Sequence, residues 1–481
     1  MKSDLHGRIV TLFILVTVAF LVLIAWQWQW HITRADWLQQ QPRNPRLTRA
    51  ERNTPRGVIF DCNGVKLAWS ENGQRNYADP VASAAVLGYI DPRYGRTGVE
   101  GEWNPELSGL SRVTTAEDVN RLLRQEKPHG KDLVLTLDAA LQAQAYAALN
   151  KRPGAVVLMD PETGGILALA TYPTFDTTRI GEDYDRLRHA DDGALRNRAT
   201  QDLYPPGSTM KLVTASAALM HGVDPATRYT CTGRSRIFNV TVTDFHGESH
   251  GNIDMTQALA QSCNNYFART AAALSWSDFA ETARAYGFGQ RWWEAHPYDG
   301  RMMPVAVTHS SLTPTPAQEP PRGERAHMGF GQSTVVVTPL QMAMVTSAIA
   351  DHGTLMAPYL VKEVRVGGAT RALERFTSRP IGFPLDSTTA DKLSVMMRRV
   401  VTSGTARGGD VPGLTVYGKT GTAEQTGGQD HAWFIGYAED DASKKRLAFA
   451  VIIERGGTGG RIAMPVARQV LTYWKGTLSA Q

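Results

Sequence analysis

The run Ile9–Trp26 carries no charge, and among its apolar side chains only Thr11 and Thr17 are polar. As a helix it spans about 27 Å, near the hydrocarbon thickness of a bilayer. Trp26, Trp28 and Trp30 follow, as an interfacial aromatic belt would. The run is long for a cleaved secretory signal, and no small-x-small cleavage site follows it. It therefore reads as an uncleaved anchor over 9–26, with 1–8 as a cytoplasmic tail. Lys2 and Arg8 lie before the span and Arg34, Arg43 and Arg46 after it, so charge does not set its orientation. The chemistry of the remaining chain is what places that part outside.

Residues 27–55 carry Pro42, Pro45 and Pro55 among polar residues and read as an extended tether. Beyond it the texture is mixed. "RGVIFDCNGVKLA" reads as strand, Asn63-Gly64 turn, strand. "DLVLTLDAALQAQAYAALNKR" reads as a strand and then a helix that Asp138 caps. A boundary near Arg152-Pro153 separates a small domain, 56–152, from a large one, 153–481. In the latter, "GAVVLMDPETGGILALATYP" reads as a hairpin. Helices are expected over 208–221, 254–275 and 338–350, strands over "YGKTGTAE", "HAWFIGYAE" and "RLAFAVIIER", and a last helix from about Met464. Strands at both ends with helices between predict an α+β fold, an antiparallel sheet with helices on both sides.

Apolar content of 42% and charged content of 20% describe a globular protein. A net charge of +5 on 481 residues, with Lys and Arg scattered, gives no footprint for nucleic acid. The three cysteines, Cys62, Cys231 and Cys263, show no CxxC and no paired Cys/His spacing. No zinc site, other metal site or cofactor is expected from them.

The chemistry centres on "LYPPGSTMKLVTASAALMHG". Ser208 opens a helix after Pro205-Pro206-Gly207, and Lys211 lies one turn on, on the same face. Lys211 is the only charge between Ser208 and Met220, in a helix apolar all round and so expected to be buried. Burial lowers an amine's pKa, and a neutral amine can take a proton from a nearby serine. The N-terminal position of Ser208 also lets its N–H face a developing oxyanion. S-x-x-K is weak alone. "QALAQSCNNYFAR" adds Ser262 and Asn264, a hydroxyl to relay a proton and an amide to hold a carbonyl, after a helix that Asp254 and Gln257 could start as a capping box.

"GLTVYGKT", from Gly413, satisfies the phosphate-loop pattern G-x-x-x-x-G-K-[ST]. Its intervening Leu414, Thr415, Val416 and Tyr417 favour strand, and no helix can start at Thr420-Gly421. As a strand, Lys419 supplies a second cation that would further depress Lys211. Gly421 clears space for a peptide along the strand edge. Thr420 and Thr422 offer hydroxyls to a terminal carboxylate, and the Thr422 N–H could complete an oxyanion hole with that of Ser208.

S-x-x-K, S-x-N and K-T-G thus stand in order. With "RGVIFDCNG", "GRTGVEGEWNPEL" and "MGFGQSTVVVTPLQMA", the chain from Arg56 onward resembles the class B, monofunctional penicillin-binding transpeptidases of compact type. That resemblance implies a penicillin-binding/β-lactamase-like serine acyltransferase domain and a small N-terminal pedestal, dimerisation-like. Ser208 would be acylated by the penultimate D-Ala of a peptidoglycan stem peptide, with Lys211 as base and Ser262 and Asn264 relaying protons and holding substrate. Lys419, Thr420, Gly421 and Thr422 would bind the terminal carboxylate. β-Lactams would acylate the same serine, and a SEDS-family glycosyltransferase would be the membrane partner. The expected location is the bacterial cytoplasmic membrane, catalytic domain outside. Cys62 stands where the family usually has Arg. Two other readings fit part of the pattern: a membrane-anchored β-lactamase or β-lactam sensor, and a non-catalytic cell-wall scaffold.

Overall fold

The computed structural model describes residues 2–34, 54–110, 129–295, 300–313, 318–424 and 428–479. The chain forms two units, 1–55 and 56–481. In the first, α1 (Lys2–Trp28) runs into a wider turn at Gln29–Thr33. The helix is long and apolar enough to cross a membrane, and its apolar window is not buried in protein. Its two threonine hydroxyls donate to the carbonyls of Gly7 and Phe13, at 2.9 and 2.8 Å. Polar groups in an apolar span must be satisfied internally, and these are. Residues 35–53 of the predicted tether lie outside the described residues.

The second unit opens with β1 (Ile59–Phe60), β2 (Lys66–Glu71), β3 (Gln74–Tyr77) and β4 (Asp132–Leu135). The Asp61 carboxylate closes the predicted Asn63-Gly64 turn by accepting from the N–H groups of Asn63 and Val65. Asp138 caps α2 (Ala139–Leu149) as expected, accepting from Ala140 and Leu141. The hairpin β5 (Gly154–Met159) and β6 (Ile166–Tyr172) follows.

A tight turn, Gly207–Met210, leads into α3 (Lys211–Met220). Four short strands come next: β7 (Tyr229–Cys231), β8 (Arg234–Ile237), β9 (Val240–Thr243) and β10 (Gly251–Ile253). The helix expected over 254–275 is two helices, α4 (Met255–Ala260) and α5 (Asn264–Ala273). The break is Ser262, whose φ of +58° no helix accommodates. The predicted Asp254–Gln257 capping box is present on α4.

Then come α6 (Trp276–Ala285), α7 (Arg322–Met328) and α8 (Pro339–Ala350), the last capped by Thr338 as expected and buried along its whole length. The chain closes with β11 (Val361–Arg365), β12 (Ala372–Arg375), α9 (Ser387–Ser403), β13 (Leu414–Ala423), β14 (His431–Asp440), β15 (Arg446–Ile453) and α10 (Gly459–Ser479). The last helix starts before the expected Met464. Glycine is a poor helix former, but a Cβ on Gly459 would lie 2.1 Å from the Trp433 carbonyl oxygen, so packing requires glycine there.

Two sheets organise this unit. The antiparallel one has order β13-β14-β15-β5-β6. β14 and β15 are buried almost throughout, as strands covered on both faces must be. α2 and α10 pack on one another and on this sheet, as do α8 and α9. The second sheet has order β12-β11-β4-β1-β2-β3, with β1 and β4 its parallel pair. Strands from 361–375 thus complete a sheet that begins at Ile59.

Beside this sheet Glu100, fully buried, takes Arg56 and Arg75, each at 2.6 Å. Burial alone would raise its carboxyl, but Arg75 and Arg56 outweigh that and hold it below the usual range. Where a family Arg would stand, Cys62 has its thiol pushed up to about 12 by burial and by the neighbouring Asp138 and Asp61.

Candidate active site

Three distant stretches converge. Lys211 is fully buried at the start of α3, and its Nζ donates to the Ser262 carbonyl at 2.5 Å and to Asn264 Oδ1 at 2.7 Å. Ser262 Oγ lies 3.2 Å from the same amine. The left-handed backbone at Ser262 turns both its carbonyl and its hydroxyl toward Lys211, and such a strained residue is common where function needs it. From β13, Lys419 Nζ donates to the same Ser262 Oγ at 2.9 Å and to the Thr420 carbonyl at 2.8 Å. The serine hydroxyl therefore bridges two buried amines.

Both amines are depressed. Burial takes Lys211 from 10.5 to about 8, against weaker opposite pulls from Cys263 and Asp244. Burial and then the charge on Lys211 hold Lys419 well below its usual value. Two buried ammonium groups on one hydroxyl repel, and that repulsion acts on both amines alike.

Ser208 sits half-buried in the turn before α3, one turn from Lys211, and its hydroxyl has no hydrogen-bond partner among the described residues. The turn is clamped on both sides. The Gly207 N–H donates to the Gly331 carbonyl at 3.0 Å, and Trp433 Nε1 to that of Pro205 at 3.1 Å. Gly207 has φ +53°, and a Cβ there would lie 2.5 Å from the Thr422 carbonyl oxygen. β13 thus packs directly beside the nucleophile turn. Among the described residues it pairs with β14 on one side only, leaving a free edge.

Three sequence expectations change in detail. Gly421 does not clear space for a substrate: the volume of its missing side chain is filled by Thr209 Cγ2 at 2.8 Å and Trp433 Cβ at 3.0 Å. The glycine is required so that β13 can approach the turn. The Thr420 hydroxyl is engaged with that of Thr405 at 2.5 Å, whereas Thr422 is half-buried and near Gly207. The Asn264 amide is partly engaged: its Oδ1 accepts from Lys211 and one Nδ2 N–H donates to the Thr243 carbonyl at 3.0 Å, which leaves the second N–H for a substrate carbonyl. The stretch matching a phosphate loop is a strand, paired with β14 through all of Leu414–Ala423.

Behind Asn264 lies a cluster that sequence spacing missed. Cys231, Asp244, His250 and Cys263 bring one ligand atom each within 4.8 Å of all the others. Cys231 Sγ is 3.0 Å from Asp244 Oδ2 and 3.4 Å from His250 Nδ1, and Cys263 Sγ is 3.6 Å from that oxygen. Ligands on a tetrahedral zinc are spaced by roughly 3.3–3.8 Å, so the donor set fits a soft divalent cation. The β7–β10 ladder, pairing Cys231 with Gly251, makes the site where a short motif would otherwise be needed. A single signal was available: Cys263 inside S-x-N. Asp244 also accepts from the Asn264 N–H and from Asn265 Nδ2, so the cluster holds the Ser262–Asn264 turn from behind.

Comparison with known proteins follows this geometry. The family described as penicillin binding protein transpeptidase domain matches residues 154–472, and penicillin binding protein A dimerisation domain matches 56–133. Peptidoglycan D,D-transpeptidase PbpA of Mycolicibacterium smegmatis is 30% identical, over 95% of this chain and 96% of its own. Peptidoglycan D,D-transpeptidase MrdA of Acinetobacter baumannii is 33% identical over 79% of this chain and 60% of its own. Among solved structures, the imipenem acyl-enzyme of penicillin-binding protein A from M. tuberculosis superposes with a TM-score of 0.77 at 27% identity, covering 88% of this chain and 99% of that one. With a family match over most of its length and a converged S-x-x-K, S-x-N and K-T-G set, the chain belongs to the class B penicillin-binding proteins, within the transpeptidase family.

Proposed function

We propose that this chain is a peptidoglycan D,D-transpeptidase in which Ser208 is acylated and Lys211 is its base. The observation that carries the reading is the buried Lys211 amine, pinned by two carbonyl oxygens beside a hydroxyl it shares with Lys419. A neutral amine has two N–H groups and one lone pair. The Ser262 carbonyl and Asn264 Oδ1 can only accept, so they take both N–H groups and leave the lone pair for a hydroxyl.

A substrate carboxylate is held beside Lys419 and Thr422. Lys211 reacts in its neutral form as Ser208 Oγ attacks the carbonyl of the penultimate D-Ala. The Ser208 proton passes to Lys211 Nζ and, by Ser262 Oγ, to the departing D-Ala nitrogen. The amine of a neighbouring stem reverses these steps and forms the cross-link. The Ser208 and Thr422 N–H groups are the oxyanion donors in this reading. β-Lactams acylate the same serine and stay. α1 anchors the chain in the bacterial cytoplasmic membrane with 56–481 outside, beside a SEDS-family glycosyltransferase.

Labelling of membranes with a fluorescent penicillin tests this. Wild type labels, and Ser208→Ala shows no band at equal protein. A labelled Ser208→Ala protein would overturn the assignment.

The Cys231/Asp244/His250/Cys263 cluster is read as holding a soft divalent cation. When bound it would tie β7 and the 244–250 loop to the Ser262–Asn264 turn, a positional part outside the proton path. Protein purified without chelator is expected to carry about one zinc per chain by mass spectrometry. Cys263→Ala is expected to lose the metal and melt several degrees lower. Metal-free wild type whose melting is indifferent to added zinc would refute this.

A further inference from the structure

A cavity of about 590 Å³ lies where the C-terminal end of α5 meets α6 and α7. Ala273, on its wall, is nine residues along α5 from Asn264. That is roughly 14 Å of helix, so the cavity is separate from the acyl-transfer groove.

Its charge is unevenly committed. Arg325 is only 4% exposed; its Nη1 donates to the Leu274 carbonyl at 3.3 Å and lies 3.1 Å from Glu319. Glu319 is 61% exposed, and a carboxylate that open to water compensates a buried guanidinium weakly. Arg325 Nε is buried and has no partner among the described residues. A buried donor without an acceptor is costly, and a native site that keeps one invites an explanation. Glu281, also on the wall, accepts from the Ser277 hydroxyl at 3.1 Å. Arg284 and Arg322 are exposed on the rim and reach no carboxylate among the described residues. Arg322 lies over the Phe238 ring, 5.2 Å from its centre, which steadies its plane and uses none of its N–H groups.

We propose that this cavity is a second binding site, one that takes a ligand bearing an oxyanion, phosphate or carboxylate, gripped by Arg284 and Arg322, with the buried positive charge of Arg325 beside them. Guanidinium forks match such groups two N–H at a time. The volume lies in the range of small-molecule sites and far exceeds one phosphate, so the anion arrives on a larger molecule. Half-buried Trp276 offers that molecule a flat apolar wall. Two sources carry this chemistry: a diphosphate ester and the carboxylates of a stem peptide. The second source rests on the function proposed above; the first does not.

Calorimetry on the full chain in detergent separates them, with inorganic pyrophosphate in one arm and a soluble stem pentapeptide in the other. The protein is first acylated with penicillin so that the catalytic groove is closed. Failure to acylate would count against the proposed function alone, and the pyrophosphate arm would still report on the cavity. At least one probe is expected to bind with a submillimolar Kd. The Arg284→Ala/Arg322→Ala double variant should weaken it at least about tenfold while labelling with penicillin at the wild-type rate. Both arginines are on the rim, so folding is not at stake. Absence of binding by both probes up to about 10 mM, or equal binding by the double variant, would overturn the proposal.

Discussion

Lys211→Met acylates with fluorescent penicillin about a thousandfold more slowly than wild type, and its residual rate no longer depends on pH. A positioned general base is worth about 10²- to 10⁴-fold. Methionine keeps the length and buries without charge but cannot take the Ser208 proton. Wild type carries the complementary signature. The base is the unprotonated amine, and burial has brought Lys211 to about 8. Acylation therefore falls about tenfold per pH unit below that value and levels off above it. The sign is fixed by which form reacts: lowering the pH protonates the amine and removes activity. Thermal melting of the variant separates chemistry from folding. The Ser262 carbonyl and Asn264 Oδ1 lose their donor, but a buried amine's desolvation is relieved, so the melting shift is small beside the kinetic loss. Acylation within tenfold of wild type, with the same pH limb, would remove Lys211 from the mechanism.

The features that sequence made legible are local or periodic. Ser208 and Lys211 are one turn apart, so spacing alone puts them together. Asp138, Asp254 and Thr338 cap helices through contacts two or three residues on, which composition announces. Strand character in Leu414–Tyr417 was enough to dismiss the phosphate loop. What stayed hidden depends on chain segments meeting in space. The Ser262 backbone conformation breaks a helix whose apolar pattern continues across it. Cys231 reaches Cys263 through the β7–β10 ladder, which no short motif encodes. That Asp244 and Cys263 lie near Lys211 and partly offset its burial is likewise a tertiary fact. The role of Gly421 was misjudged for the same reason: its neighbour in space is Thr209, more than two hundred residues earlier in the chain.

The two quoted stretches "RGVIFDCNG" and "GRTGVEGEWNPEL" also meet only in the folded chain, and there the largest effect on stability is expected. Arg56 donates to Glu100 and, at 2.7 Å, to Asn104, while Arg75 donates to Glu100 and, at 2.8 Å, to the Gly57 carbonyl. Glu100→Gln keeps the shape but removes the charge that both guanidinium groups share, leaving two buried cations without a counter-ion. Breaking a buried ionic network from one side costs about 3–5 kcal/mol, so melting should fall by about 3–6 °C. The pH dependence identifies the cause. A carboxyl held below its ordinary 4.5 stabilises the fold at higher pH and stops doing so as acid protonates it. The gap in stability between wild type and Glu100→Gln should therefore be full near neutrality and close as the pH falls below about 4.5. A variant that melts with wild type at pH 7 would show that Asn104 and the Gly57 carbonyl suffice for the two arginines. One that melts lower yet still labels with penicillin at low temperature would place the network in holding the sheet around β1, apart from the chemistry at Ser208.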